Sequence, residues 1–218
     1  MKVKYLGHAA FELTSDGGTK IVFDPYESGS YDGALKYGPI TGVYDLAVVS
    51  HEHPDHCDMS VKESAKHVVD APGEFDIMDL HVKASPTYHD ESEGSERGGN
   101  LVSVVELDGM RIAHLGDLGH SLSEEELEGI KGVDLLLIPV GGFFTIDAAA
   151  AAELVRKAEP KVVIPMHFKT DKVDFPIAPV DQFTSLMENV ETPGGSTFTI
   201  TGDESRGGMR VVVLDPEL

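Results

Sequence analysis

The chain has 218 residues, with 38 acidic against 17 basic side chains, a formal net charge of -21 and 41% hydrophobic residues. That length supports one well-packed core, and so acidic a field repels nucleic acid and anionic membrane surfaces. A single cysteine, Cys57, excludes an internal disulfide, and no apolar run approaches the roughly 20 residues that a membrane-spanning helix needs. The expectation is one soluble, cytoplasmic domain over residues 1–218 that acts on a small molecule, without a nucleic-acid or membrane partner and with oligomerisation left open.

Residues 2–14 and 19–24 cluster Val, Tyr, Phe, Leu and Ile around the turn Ser15-Asp16-Gly17-Gly18, which predicts an opening antiparallel meander closed by Asp24-Pro25. Residues 26–44 carry Gly, Ser, Tyr and Pro without periodicity and read as a loop able to overhang a site. Asp45-Leu-Ala-Val-Val-Ser50 then reads as a short buried strand. At its end stands His51-Glu52-His53-Pro54-Asp55-His56. Three imidazoles and a carboxylate so close together are costly to pack unless a divalent metal accepts their lone pairs. His51 and His53, two apart on an extended segment, can aim at one ion, while Asp55 and His56 can face a second. The rival reading is a histidine-rich surface loop of accidental spacing; the preceding strand and the added Asp55 and His56 weigh against it. Cys57 reads as a small buried apolar residue rather than a ligand.

His-x-His-x-Asp-His after a strand resembles the signature of the metallo-β-lactamase-fold hydrolases. The words Gly7-His8-Ala9-Ala10-Phe11, Gly116-Asp117-Leu118-Gly119-His120 and Pro165-Met166-His167 are similar to those of a compact branch. That branch includes predicted zinc-dependent hydrolases and is related to L-ascorbate-6-phosphate lactonase. The resemblance implies a four-layer αββα sandwich with the metals at one edge, where the element pattern alone stops at α/β. It implies that His51, His53 and His89 hold one ion and that Asp55, His56 and His167 hold the other, with Asp117 bridging. It also implies an Asp24 that is buried beside the nest and supports it without ligating. Zinc is the leading ion; manganese, associated with the lactonase relatives, and iron accept the same donors. His53 stands where oxygen-reducing di-iron relatives carry a glutamate, and true β-lactamases usually lack the aspartate matched by Asp117. The first leans toward hydrolysis, and the second toward cleavage of a lactone, thioester or phosphodiester. The implied mechanism is attack by a hydroxide shared between two ions, with Asp55 orienting it and His120 a candidate acid for the leaving group. A non-catalytic metal or small-ligand sensor on the same fold is the alternative.

Further along, Asp58 is placed to cap a helix through about Lys66, and His67–Asp70 returns as a strand. Leu80–Tyr88 alternates apolar and polar residues and ends at His89-Asp90, before a flexible acidic loop over 90–100. Its cation, Arg97, is a partner either for its acidic neighbours or for an anionic substrate. A hairpin about Asp108-Gly109 delivers Asp117, whose two carboxylate oxygens can each face one ion. Ser123-Glu124-Glu125-Glu126 is a capping box, Asp134–Val140 a buried strand and 147–158 a helix. Lys161–Pro165 is a strand that ends at Met166-His167, followed by Lys169 as a surface residue or an anion contact. An amphipathic helix over 180–190 and strands at 196–201 and 209–214 complete the chain. Four predicted strand ends thus carry candidate ligands, as expected where a rigid sheet presents reactive groups. His8 fits either the pocket mouth or a backbone contact, and His67 and His81 read as structural.

Overall fold

A computed structural model describes residues 1–201 and 208–218. Its strands are β1 (Lys2–Gly7), β2 (Ala10–Thr14), β3 (Lys20–Phe23), β4 (Leu46–Val48), β5 (His67–Val69), β6 (Gly73–Ile77) and β7 (Leu80–Tyr88). They continue with β8 (Gly99–Leu107), β9 (Met110–His114), β10 (Leu135–Pro139), β11 (Val162–Met166), β12 (Val190–Glu191), β13 (Thr197–Thr199) and β14 (Arg210–Val212). The helices are α1 (Ser30–Gly33), α2 (Met59–Ser64), α3 (Glu124–Ile130), α4 (Ala148–Ala158) and α5 (Asp181–Thr184). The strands form a six-stranded sheet, β13-β1-β2-β3-β4-β5, and an eight-stranded sheet, β12-β14-β11-β10-β9-β8-β7-β6.

The two-residue period of the strands sorts the first sheet's side chains between two cores. Tyr5, Phe11, Phe23 and Val48 join Val82, Val105, Ile112 and Leu135 of the second sheet in one buried cluster, to which α3 and α4 add Ile130, Leu154 and Val155. Leu6, Ala10, Val22 and Ala47 point the other way, into a smaller core with Tyr26, Tyr37 and Val61 of α2. The result is the expected α/β sandwich of two facing sheets with helices outside. Among the described residues, no helix is long and apolar enough to cross a membrane.

Strand direction decides where the chemistry goes. β1 runs antiparallel to β2, β2 antiparallel to β3, and β3 parallel to β4, so β1, β3 and β4 end on the same edge. In the second sheet β7 and β9 flank the antiparallel β8, and β9, β10 and β11 are parallel, so β7, β9 and β11 also end together. These six ends are followed by His8, Asp24, His51, His89, Asp117 and His167.

Three local expectations change. Residues 2–14 are two strands, because the chain reverses at His8-Ala9 with His8 at φ 54°. The predicted helix over 180–190 stops at Thr184, and Asn189, five residues on at φ 53°, turns the chain so that Val190 and Glu191 pair with β14. β6 is an edge strand absent from the sequence reading; it is mostly polar and exposed and is held by pairing with β7.

Candidate metal centre

The six loops converge. Ligand atoms of His51, His53 and His89 lie within 4.8 Å of one another, as do those of His8, Asp55, His56 and His167, and those of His51, His56 and Asp117. Asp117 faces both larger groups: its Oδ1 lies 3.0 Å from His56 Nε2, and its Oδ2 lies 3.0 Å from His89 Nε2 and 3.4 Å from His167 Nε2. Every residue of the implied ligand set therefore reaches this cluster, and His8, whose place sequence left open, joins it.

Contacts behind the cluster fix which ring nitrogen points inward. His56 Nδ1 donates to Asp24 Oδ2 at 2.7 Å, and His89 Nδ1 donates to the Phe144 carbonyl at 3.0 Å. Ser50 Oγ donates to Asp24 Oδ2 and so accepts from His51 Nδ1 at 2.9 Å. Each arrangement leaves Nε2 facing the centre, as metal-bound imidazoles require. Asp24 thus braces two of the histidines and also takes the Ser50 N–H. Asp55 is held from both sides, Oδ1 by the Tyr31 hydroxyl at 3.0 Å and Oδ2 by His8 Nε2 at 3.1 Å. His8, Asp24 and His167 all sit at positive φ, between 41° and 54°. Strain of this kind, held by surrounding structure, concentrates at functional sites.

The donor set fits a cation on its own chemistry. His56 Nε2, Asp117 Oδ1 and His167 Nε2 are buried and make no aligned hydrogen bond, although the first two lie 3.0 Å apart and all three point into the same small volume. Buried polar atoms left so carry a cost of roughly 1–3 kcal/mol each, which a shared cation removes. Without one, protons stand in. Burial pushes the Asp117 carboxyl up, but His167 and His56 outweigh it and hold the group well below the usual range. Burial pushes His56 down, but Asp117 and Asp55 more than reverse that and raise it well above normal. Burial, helped by His167, lowers His8 to about 4, and burial with His56 lowers His51 to about 3.

A pH dependence follows for the metal-stripped chain. His8 and His51 bind protons less readily when folded, at about 4 and about 3, than at the ordinary 6.5. Their contribution is complete above that ordinary value and is lost as pH falls toward the folded ones. Asp24, Asp55 and Asp117, all depressed, extend the acid loss below about pH 4. His56, raised, contributes fully below 6.5 and loses its contribution as pH climbs through its folded value. Calorimetry of chelator-treated protein is expected to show a melting temperature that peaks near pH 6.5; a steady rise from pH 6 to pH 4 would contradict the assignment.

Above the cluster lies a cavity of about 470 Å³, lined by Tyr31, His53, Asp55, His89, Glu96, Arg97, Asp117, Phe144 and Phe175. The loop over 26–44 does overhang the site, through Tyr31. His120 does not reach this cavity, which corrects its expected role as an acid for the leaving group. Its Nε2 accepts the Tyr88 N–H at 3.1 Å and its Nδ1 donates to the Ser121 carbonyl at 2.9 Å, so both nitrogens are engaged on the far side of the His89 strand end. Lys169 is also turned away, donating to the Phe175 carbonyl at 3.1 Å. Sequence reasoning missed Tyr31, Phe144 and Phe175 as lining residues, since aromatic residues in loops carry no local signal of what they face.

A two-sheet sandwich with a His/Asp cluster where strand ends meet defines a metallo-β-lactamase-type protein, and the comparisons agree. The β-lactamase superfamily domain matches residues 2–167. A UPF0173 metal-dependent hydrolase of Thermus thermophilus is 37% identical over 196 residues, covering 78% of this chain and 84% of the relative. One from Carboxydothermus hydrogenoformans is 32% identical, covering 78% and 85%. A crystal structure from Thermotoga maritima, described as a candidate Zn-dependent hydrolase of the metallo-β-lactamase superfamily, superposes with a TM-score of 0.77 at 34% identity, covering 98% of this chain and 97% of that one. The chain belongs to this superfamily, among the UPF0173 metal-dependent hydrolases.

Proposed function

We propose that the chain is a dinuclear metallohydrolase of small ester-like substrates, lactones or phosphodiesters foremost. The observation that carries this reading is the set of buried ligand-type atoms at one focus, His56 Nε2, Asp117 Oδ1 and His167 Nε2, none of which makes an aligned hydrogen bond. Two divalent cations, zinc by the preference of imidazole-rich sites, would supply an acidified water shared between them and positive charge opposite a developing oxyanion. His51, His53 and His89 would hold one of them, and Asp55, His56 and His167 the other, with Asp117 between the two groups. Tyr31 and His8, bonded to the two oxygens of Asp55, keep that carboxylate in the orientation it needs to direct the attacking water.

The open cavity over Asp55 and Asp117 favours an enzyme over a non-catalytic sensor, which would fill that space. The charge of -21 favours a small substrate over nucleic acid, and an unpaired buried Cys57 suits a reducing cytoplasm. Elemental analysis of protein purified without added metal is expected to give two divalent ions per chain. Hydrolysis of at least one member of a lactone, thioester and phosphodiester panel should disappear on chelation and return with metal. Undiminished activity after complete metal removal would defeat the proposal.

A further inference from the structure

We propose that Arg97, laid over the Phe144 ring, is an anion subsite at the rim of the cavity. The preferred substrates would then be ester-like compounds bearing a carboxylate or phosphate remote from the scissile bond. This rests on the hydrolytic reading above and narrows it to a substrate class.

The expected flexible loop is in fact organised from within. Asp90, 3% exposed, accepts the backbone N–H groups of Ser92, Gly94, Glu96 and Arg97 at 2.8–3.1 Å. Four donors on one carboxylate fix the loop's path, and hold the Asp90 carboxyl below its usual range against the opposing effect of burial. Arg97 is therefore presented by an ordered backbone. Its guanidinium lies 5.9 Å from the Phe144 ring centre, in the reach of a cation–π contact. Its one acidic neighbour, Glu96, is at 3.9 Å, too far for a hydrogen bond. Among the described residues, the five guanidinium N–H donors have no hydrogen-bond partner, and the side chain is only 34% exposed. A fork of donors, stacked and ordered beside a cavity without a protein acceptor, suits bidentate binding of an anionic group.

The same residue ties this subsite to the centre, since the Phe144 carbonyl fixes His89 while its ring supports Arg97. Tyr31 and Phe175, in edge contact at 5.3 Å, offer apolar surface for the body of a substrate. Among the residues lining the cavity Arg97 is the one permanent cation, so it distinguishes a charged substrate from a neutral one.

The test compares 4-acetoxybenzoate and 4-acetoxyphenyl phosphate with the neutral methyl 4-acetoxybenzoate, using metal-loaded wild type, Arg97→Gln and Arg97→Lys. In each reaction a water oxygen bonds to the acetyl carbon, the bond to the phenol oxygen breaks, and that oxygen takes the proton. Wild type should favour one anionic ester over the neutral one by about tenfold or more in kcat/KM, mainly through KM, as a charge-assisted pair provides. The favoured member says whether carboxylate or phosphate is read. Arg97→Gln should erase the preference with metal content unchanged, and Arg97→Lys should restore part of it. Retention of the preference in a metal-replete Arg97→Gln, or its absence in wild type, would overturn the subsite. If no ester is cleaved, the hydrolytic reading suffers for this class, and calorimetric titration of 4-hydroxybenzoate against its methyl ester still decides. Equal binding of the acid by wild type and Arg97→Gln would overturn the proposal.

Discussion

Replacing Asp117 with alanine is expected to strip bound metal and lower kcat/KM by about 10²–10³-fold, the equivalent of roughly 3–4 kcal/mol and within the range for removing one partner of a buried charge cluster. Asp117 is 2% exposed, and its two oxygens lie within 3.4 Å of Nε2 atoms on His56, His89 and His167. Among the described carboxylates of the cluster, it alone lies within 4 Å of histidine nitrogens in both groups. Without it the proposed cations would lose a shared negative ligand, and His56, whose pKa Asp117 and Asp55 raise in the stripped protein, would lose the larger of those two supports. Asp117→Asn separates charge from shape, since the amide fills the same space with no negative charge. It should resemble alanine in metal content while melting closer to wild type. An Asp117→Ala enzyme that retains two ions per chain and works within tenfold of wild type would refute the bridging role.

Gly119→Ala is expected to be nearly as damaging, through backbone alone. A Cβ at Gly119 would overlap the carbonyl carbon and oxygen of His89 and the nitrogen of Asp90. None of these atoms belongs to a flexible side chain that can step aside. Overpacking of this kind costs about 1–3 kcal/mol, a fall of about 3–10 °C in melting temperature for a chain of this size. The neighbouring Gly119 N–H donates to the Tyr88 carbonyl at 2.9 Å, so the clash lies on a seam that holds His89 in place. A shift of about 1 Å in that imidazole is expected to cost a further factor of about 10² in rate. Gly129→Ala supplies the contrast: it lies in α3 with nothing within 4 Å, and there alanine should stabilise by up to about 1 kcal/mol. Equal melting temperatures and rates for the two variants would show that the His89–Gly119 approach is not tight.

The cluster was legible because each implied ligand sits just past an apolar run that sequence reveals, and strand ends of like direction share an edge. His8 was not. It lies at a reversal inside what reads as continuous strand, and its partners Asp55 and His167 are distant in sequence. His120 misled by its nearness to Asp117: the chain passes Gly119 pressed against His89 and carries His120 to the other side. The loop after His89 looked like solvated acid, because composition does not say that one of its carboxylates turns inward. Asp90 followed by Ser92 and Gly94 is an Asx-turn pattern, and that was the available signal. The core needed no such detail, since apolar periodicity settles which face of β1 to β4 meets the second sheet.

Each group of donors draws on both sheets: His51 and His53 follow β4 while His89 follows β7, and Asp55 and His56 follow β4 while His167 follows β11. On the proposed reading, an ion in either group would act as a rivet through layers otherwise joined by apolar packing. Cation supply would then enter the folding equilibrium itself, worth about 2.7 kcal/mol per site at a hundredfold excess over Kd. A cell starved of the ion would lose this chain to proteolysis as well as losing its turnover.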